Sequence, residues 1–223
     1  GFLKEKDFES EYFFDMKVGF CEKSKMLQLI EQPSASKMFH EEYPFFSSSS
    51  QFMGVHFQDL YKSVIESKFF KSDDPFVVEL GCNDGILLKH FSNAGIRHLG
   101  IEPSLNVAEI ARKNNVNTVN EFFSEKLVQN ILDENGAADI FLSANVMCHI
   151  SNIKEVVSGI KKLMKKKGVV IFEDPYLGDI VQKNSYDQIY DEHVFLFSGM
   201  SVNNLFNKFD MELIDVQPQK THG

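Results

Sequence analysis

The stretch from Phe76 to Gly85 constrains the fold more than any other part of the chain. Phe76-Val77-Val78-Glu79-Leu80 is a short apolar run, β-branched at Val77 and Val78, and Gly81-Cys82-Asn83-Asp84-Gly85 follows at once. Such a run reads as a buried strand. Glycines at both ends of the following turn let the backbone bend tightly and approach a ligand closely. Ile86 to Ala94 then reads as a helix with Leu87, Leu88 and Phe91 inward. The alternation continues: a strand over His98–Ile101, a helix over Leu105–Lys113 capped by Ser104, and strands over Val116–Val119 and Asp139–Ala144. The helix predicted over 153–165 is the clearest, with Ile153, Val156, Val157, Ile160, Leu163 and Met164 at helical spacing. Asn152 and Glu155 resemble a capping box there, Lys165–Lys167 suit the helix end, and Gly168 suits the cap. Val169–Phe172 is a fifth strand. Strands alternating with helices predict an α/β fold with a mostly parallel central sheet covered on both faces, and ligands in such sheets bind beyond the carboxyl ends of the strands.

The first part of the chain is less regular. Short strands are expected within Glu11–Phe20 and Met26–Ile30, and loops at Ser34-Ala35-Ser36 and Ser47–Ser50. A helix over Met53–Phe70 leads to the breaker Ser72-Asp73-Asp74-Pro75. This divides the chain into a small irregular amino-terminal segment, 1–52, and a main domain, 53–223. The chain begins at Gly1 and stops at Thr221-His222-Gly223, and both ends read as cuts in a longer protein. A net charge of −9 argues against a nucleic-acid partner, which needs a basic footprint, and Lys161–Lys167 reads as a solvated helix end. Cys21, Cys82 and Cys148 are an odd, widely spaced set that makes no disulfide framework, so a reducing cytoplasm is expected. No apolar run approaches the length of a membrane span, so no membrane partner is expected, and nothing fixes the oligomeric state.

Two constellations carry chemistry. Glu102 closes the second strand of the alternating region, 21 residues after Gly81. That is close to the offset at which an acid reaches ribose hydroxyls, although the glycine spacing is not that of a dinucleotide fingerprint. Between Glu173 and His193 the chain holds six acids, three tyrosines and one histidine. A histidine can accept a proton near neutral pH, an adjacent Glu can orient it, and a tyrosine hydroxyl can stabilise an enolate oxygen.

The pairing of Glu79, Gly81 and Gly85 with Glu102 resembles the class I S-adenosylmethionine (SAM) dependent methyltransferases, whose fold is Rossmann-like. The resemblance implies SAM as cofactor, with its amino-acid part over Gly81 to Asn83, its ribose on Glu102 and its adenine near Phe122 and Phe123. Core packing is the competing reading for either phenylalanine. Asn145 matches the motif beside the methyl group. His149 is a further candidate there, with a helix-opening histidine as the alternative. The motifs Glu173-Asp174-Pro175-Tyr176-Leu177-Gly178-Asp179-Ile180 and Tyr190-Asp191-Glu192-His193-Val194-Phe195-Leu196-Phe197-Ser198 narrow the likeness, as does Glu42-Tyr43-Pro44-Phe45-Phe46-Ser47-Ser48. They resemble C-methyltransferases that alkylate carbon 3 of nucleotide-linked 4-keto-deoxysugars. The likeness runs from about Phe39 to Gly223. It implies His193 as general base with Tyr190 and Glu192 beside it, Tyr43–Ser50 folded over the site, and a sugar-nucleotide or other small molecule as substrate. The alternatives are O- or N-methylation of another small molecule, or a non-catalytic remnant of the fold. Relatives carry a zinc module with two Cys pairs and a carboxy-terminal domain. Here Ser24 stands where the partner of Cys21 would be, so no metal is expected, and the carboxy-terminal domain is missing.

Overall fold

The computed structural model describes residues 5–34, 38, 39 and 43–221. Ala35 and Ser36 of the expected linker, Glu42, and the terminal His222-Gly223 lie outside them. In chain order the regular elements are strands β1 (Val18–Cys21) and β2 (Met26–Leu29), helix α1 (Gln51–Glu66), β3 (Phe76–Leu80), α2 (Leu88–Asn93), β4 (Arg97–Ile101), α3 (Leu105–Lys113), β5 (Thr118–Val119), α4 (Glu125–Asn135), β6 (Ala138–Ala144), α5 (Ile153–Leu163), β7 (Met164–Glu173), α6 (Leu177–Lys183), β8 (Phe195–Leu196) and α7 (Gly199–Phe206). Five strands form one parallel sheet in the order β5-β4-β3-β6-β7.

β3 is central and buried along its whole length, which is why its run lacks alternation. Its side chains still divide between two cores. Phe76, Val78 and Leu80 join one with α4 and α5, and Val77 joins the other with α1 and α2. Ile153, Val156, Val157, Ile160 and Leu163 of α5 are all buried, and each contributes about 1.5–3 kcal/mol of transfer free energy. A second, three-stranded sheet, β1-β2-β8, ties the amino-terminal hairpin to the segment just after His193. The Leu29 N–H donates to the Val194 carbonyl at 2.9 Å.

Some local expectations are corrected. Ser104 makes no capping bond; its backbone N–H donates instead to a Glu102 carboxylate oxygen. The Asn152 and Glu155 side chains bond each other rather than the helix backbone. Lys161 and Lys162 do lie in the last turn of α5, but Lys165–Lys167 do not end that helix, because β7 starts at Met164. Lys165 lies 2.7 Å from the buried Asp139 carboxylate, and Gly168 sits in the strand, where a Cβ would meet the Ala138 and Asp139 carbonyls at about 3 Å. The Glu125–Asn135 helix has its own cap, the Ser124 side chain accepting from the Leu127 N–H.

Candidate active site

The turn after β3 is held in left-handed backbone at three places: Gly81 (φ 70°), Asn83 (φ 49°) and Gly85 (φ 80°). Glycine takes this conformation freely and Asn tolerates it. A Cβ on Gly85 would meet Val116 at 2.8 Å and the Ala111 backbone at 3.2 Å, so this glycine lets α3 pack against the turn. Glu102, at the end of β4, accepts from the Asn83 N–H at 3.0 Å and the Ser104 N–H at 2.9 Å. Each oxygen keeps a second lone pair. Glu79 is 2% exposed and its Oε2 has no partner; Asp84 is fully buried and its Oδ1 has none. Burial, with the neighbouring Glu102, Asp84 and Glu173 charges, pushes the Glu79 carboxyl well above the usual carboxylate range. Burial also raises Glu102, against the hydrogen bonds it accepts. Glu173, at the end of β7, pairs with His56 of α1 at 2.8 Å, and that bond raises the His56 pKa.

A strap from Tyr43 to Ser50 crosses this turn. Ser47 N–H donates to Asn83 Oδ1 (3.0 Å), Ser48 N–H donates to Asp84 Oδ2 (2.9 Å), and Asn83 Nδ2 donates to the Phe45 carbonyl (3.0 Å). The Asn83 side chain is therefore engaged with the strap. At the strap's start, Asn106 of α3 brackets Tyr43, accepting from its N–H at 3.2 Å and donating to its carbonyl at 2.7 Å. Asn106 was not singled out from the sequence. Its one signal is a weak helix former on the second residue of a helix.

The strap brings Tyr43 to a cluster built by the segment before β8 and the 3-10 turn Met147–His149. His193 is 5% exposed. Its Nδ1 lies 2.7 Å from the Gln188 carbonyl and its Nε2 lies 2.8 Å from the Tyr190 hydroxyl. A carbonyl only accepts, so Nδ1 carries the proton, Nε2 offers a lone pair, and Tyr190 donates to it. His149 stacks on His193 at 5.3 Å and on Phe39 at 5.5 Å, and burial drops its pKa to about 3. Burial and the Glu192 charge raise both Tyr43 and Tyr190, so both hydroxyls stay protonated donors. Burial, then Asp191, raises Glu192. The expected adenine walls separate. Phe123 packs edge-on against Phe141 and over Gly159, in the core, whereas Phe122 is half exposed. Asn145 is left-handed (φ 55°) at the end of β6 and donates its N–H to the Glu173 carbonyl.

The sequence matches the methyltransferase-domain family over residues 56–216. The chain belongs to that family. It is also 28% identical over 219 residues to the C-methyltransferase NovU of Streptomyces niveus, covering 98% of this chain and 52% of the relative, so it spans about half that relative's length. Among solved structures, a SAM dependent methyltransferase from Archaeoglobus fulgidus superposes with a TM-score of 0.56 at 14% identity, covering 69% of this chain and 68% of the other. Magnesium protoporphyrin IX methyltransferase from Synechocystis, with bound SAH, gives 0.51 at 15% identity, covering 73% and 74%. The fold is therefore that of the Rossmann-like class I methyltransferases, whose cofactor is SAM.

The residues of this methyltransferase domain fit that cofactor. SAM carries a sulfonium and an ammonium, and the turn holds two orphaned buried carboxylate oxygens, on Glu79 and Asp84, next to Glu102. Buried carboxylates without a cation are costly, so a cationic ligand relieves them. The sign with pH follows. Raised carboxyl groups bind a cation only when ionised, so SAM affinity is held above their folded pKa and lost as pH falls through it. The thermal upshift given by saturating SAM should shrink as pH falls through the raised folded pKa of Glu79, at a higher pH than an ordinary carboxylate near about 4 would allow. An upshift that stays constant down to the ordinary carboxylate range would remove Glu79 from cation recognition.

Proposed function

We propose that this domain is a C-methyltransferase acting on a nucleotide-linked keto-deoxysugar through an enolate. One observation carries the reading: a buried His193 whose tautomer is fixed by the Gln188 carbonyl and whose Nε2 accepts from the Tyr190 hydroxyl, with a second protonated tyrosine, Tyr43, within electrostatic reach of Tyr190. O- and N-methylation need a base at most, whereas removing a proton from carbon also needs donors for the oxygen that gathers charge. The likeness to NovU, a C-methyltransferase by name, supports the same reading.

Glu102 would hold the ribose hydroxyls, the Gly81–Asn83 backbone the amino-acid part, Glu79 the cationic end, and Phe122 the adenine, with Gly85 and Asn145 shaping the turn and the rim. When bound, SAM supplies an electrophilic methyl group to the carbanion made beside it. His193 Nε2 takes the proton from carbon 3, and the C–H electron pair passes into the enolate. Tyr190 now covers Nε2, so the entering sugar displaces it and frees its hydroxyl for the keto oxygen. Tyr43 donates to the same oxygen from the strap, Glu192 holds the polar rim, and His149, kept neutral, walls the site. Residues 1–52 serve as the segment that brings this strap over the main domain.

The test uses SAM labelled with carbon-13 in the methyl group and nucleotide-linked 4-keto-deoxysugars. A product methyl bonded to carbon, seen by NMR, supports the reading; a methyl on oxygen or nitrogen replaces it. The strap gives a second expectation. Asn106→Ala removes two hydrogen bonds to Tyr43, about 1 kcal/mol each. Turnover should fall several-fold with SAM affinity nearly unchanged, and amide exchange over 43–48 should accelerate. Unchanged exchange would show that Asn106 does not hold the strap.

A further inference from the structure

We propose that Cys148, His149 and His193 form a binding site for a zinc-class divalent metal ion, and that metal there excludes catalysis. One donor atom from each residue lies within 4.8 Å of the other two, the one such group among the described residues. Cys148 and His193 are buried. Thiolate and imidazole nitrogen are the donors that zinc prefers, and three protein donors with one open position is its usual reactive arrangement. Zn–N and Zn–S bonds of about 2.0 and 2.3 Å require donors about 3.3–3.7 Å apart, so closing on an ion needs shifts of about 1 Å.

Two further observations point to a ligand. His149 Nε2 is buried with no hydrogen-bond partner and its ring stacks on His193, so the cluster carries one uncommitted ring nitrogen. His193 holds its Nδ1–H on the Gln188 carbonyl, the outer contact that fixes the tautomer of a metal-binding imidazole and leaves Nε2 as its donor. Tyr190, 38% exposed, holds the Nε2 lone pair at 2.8 Å and has to yield it to the ion. Binding releases the Cys148 thiol proton to solvent and involves no redox change. The expectation of no metal rested on Cys21 alone. The adjacent Cys148-His149 pair gives no sequence sign of His193, which lies far along the chain.

Metal binding stands independently of the proposed reaction; the inhibition rests on His193 being the base. The test starts from the reduced Cys21→Ser protein, which removes the exposed thiol. Cobalt(II) should give a thiolate-to-metal absorption band at one equivalent per chain, and zinc should displace it. Cys148→Ser in the same background should abolish the band, and His149→Gln should weaken zinc binding at least tenfold, measured against a chromophoric chelator with far-UV circular dichroism confirming the fold. No band in Cys21→Ser, or a band that persists in Cys148→Ser, overturns the site. Turnover should fall in proportion to zinc occupancy. Full occupancy with undiminished turnover would leave the metal site standing and overturn His193 as base.

Discussion

His193→Ala is expected to lower turnover about 10²- to 10⁴-fold, the range for loss of a general base, while SAM still binds. That corresponds to about 3–5 kcal/mol of transition-state stabilisation. The selectivity follows from placement. His193 sits with Tyr190 and His149, whereas Glu79 lies within β3 and Glu102 just after β4. Single-turnover transfer of labelled methyl, with calorimetry for SAM, separates the two quantities. A variant that methylates at the parental rate removes His193 from the reaction. Loss of SAM affinity together with rate would instead make it part of the cofactor's wall.

Gly81→Ala should cost the fold about 2–5 kcal/mol, a large share of the 5–15 kcal/mol typical of a domain. Two terms combine. An L-residue at φ 70° costs about 1–2 kcal/mol, and a new Cβ 2.3 Å from Val146 Cγ2 adds an overpacking strain of about 1–3 kcal/mol. Val146 is β-branched and has little rotamer freedom to retreat. The double variant Gly81→Ala, Val146→Ala should recover the steric part and leave the backbone part. Urea unfolding of the four proteins measures both. An unchanged midpoint for Gly81→Ala would mean that the turn relaxes into another conformation.

The central sheet was legible because its signals are local. Val77 and Val78 before paired glycines, and the apolar stripe from Ile153 to Leu163, each lie within one element. Glu102 was legible by its offset from Gly81. The errors have physical causes. Lys165–Gly168 carry every mark of a helix end, yet β7 recruits them because Lys165 reaches Asp139 and Gly168 fits against the β6 carbonyls. Glu125–Asn135 has Leu127, Val128 and Ile131 at helical spacing after Ser124, a signal present but unread. The β1-β2-β8 sheet could not be read at all, since β8 is two residues long and its partner lies more than 160 residues away. For the candidate site, residue types singled out Tyr190, Glu192 and His193, of which Tyr190 and His193 are in direct contact. Only folding shows that Gln188 fixes the tautomer, that Asn106 brackets Tyr43, and that Phe123 belongs to the core.

The run Lys165-Lys166-Lys167 acquires a different meaning from its position. β7 forms the outer edge of the parallel sheet among the described residues, and a sheet edge is a template for another chain's backbone. Lys166 and Lys167, exposed at the start of that edge while Lys165 pairs with Asp139, would oppose stacking of two molecules edge to edge by charge repulsion. Residues that first resembled a helix terminus would therefore bear on colloidal behaviour, with removal of both exposed lysine charges expected to favour self-association at high concentration.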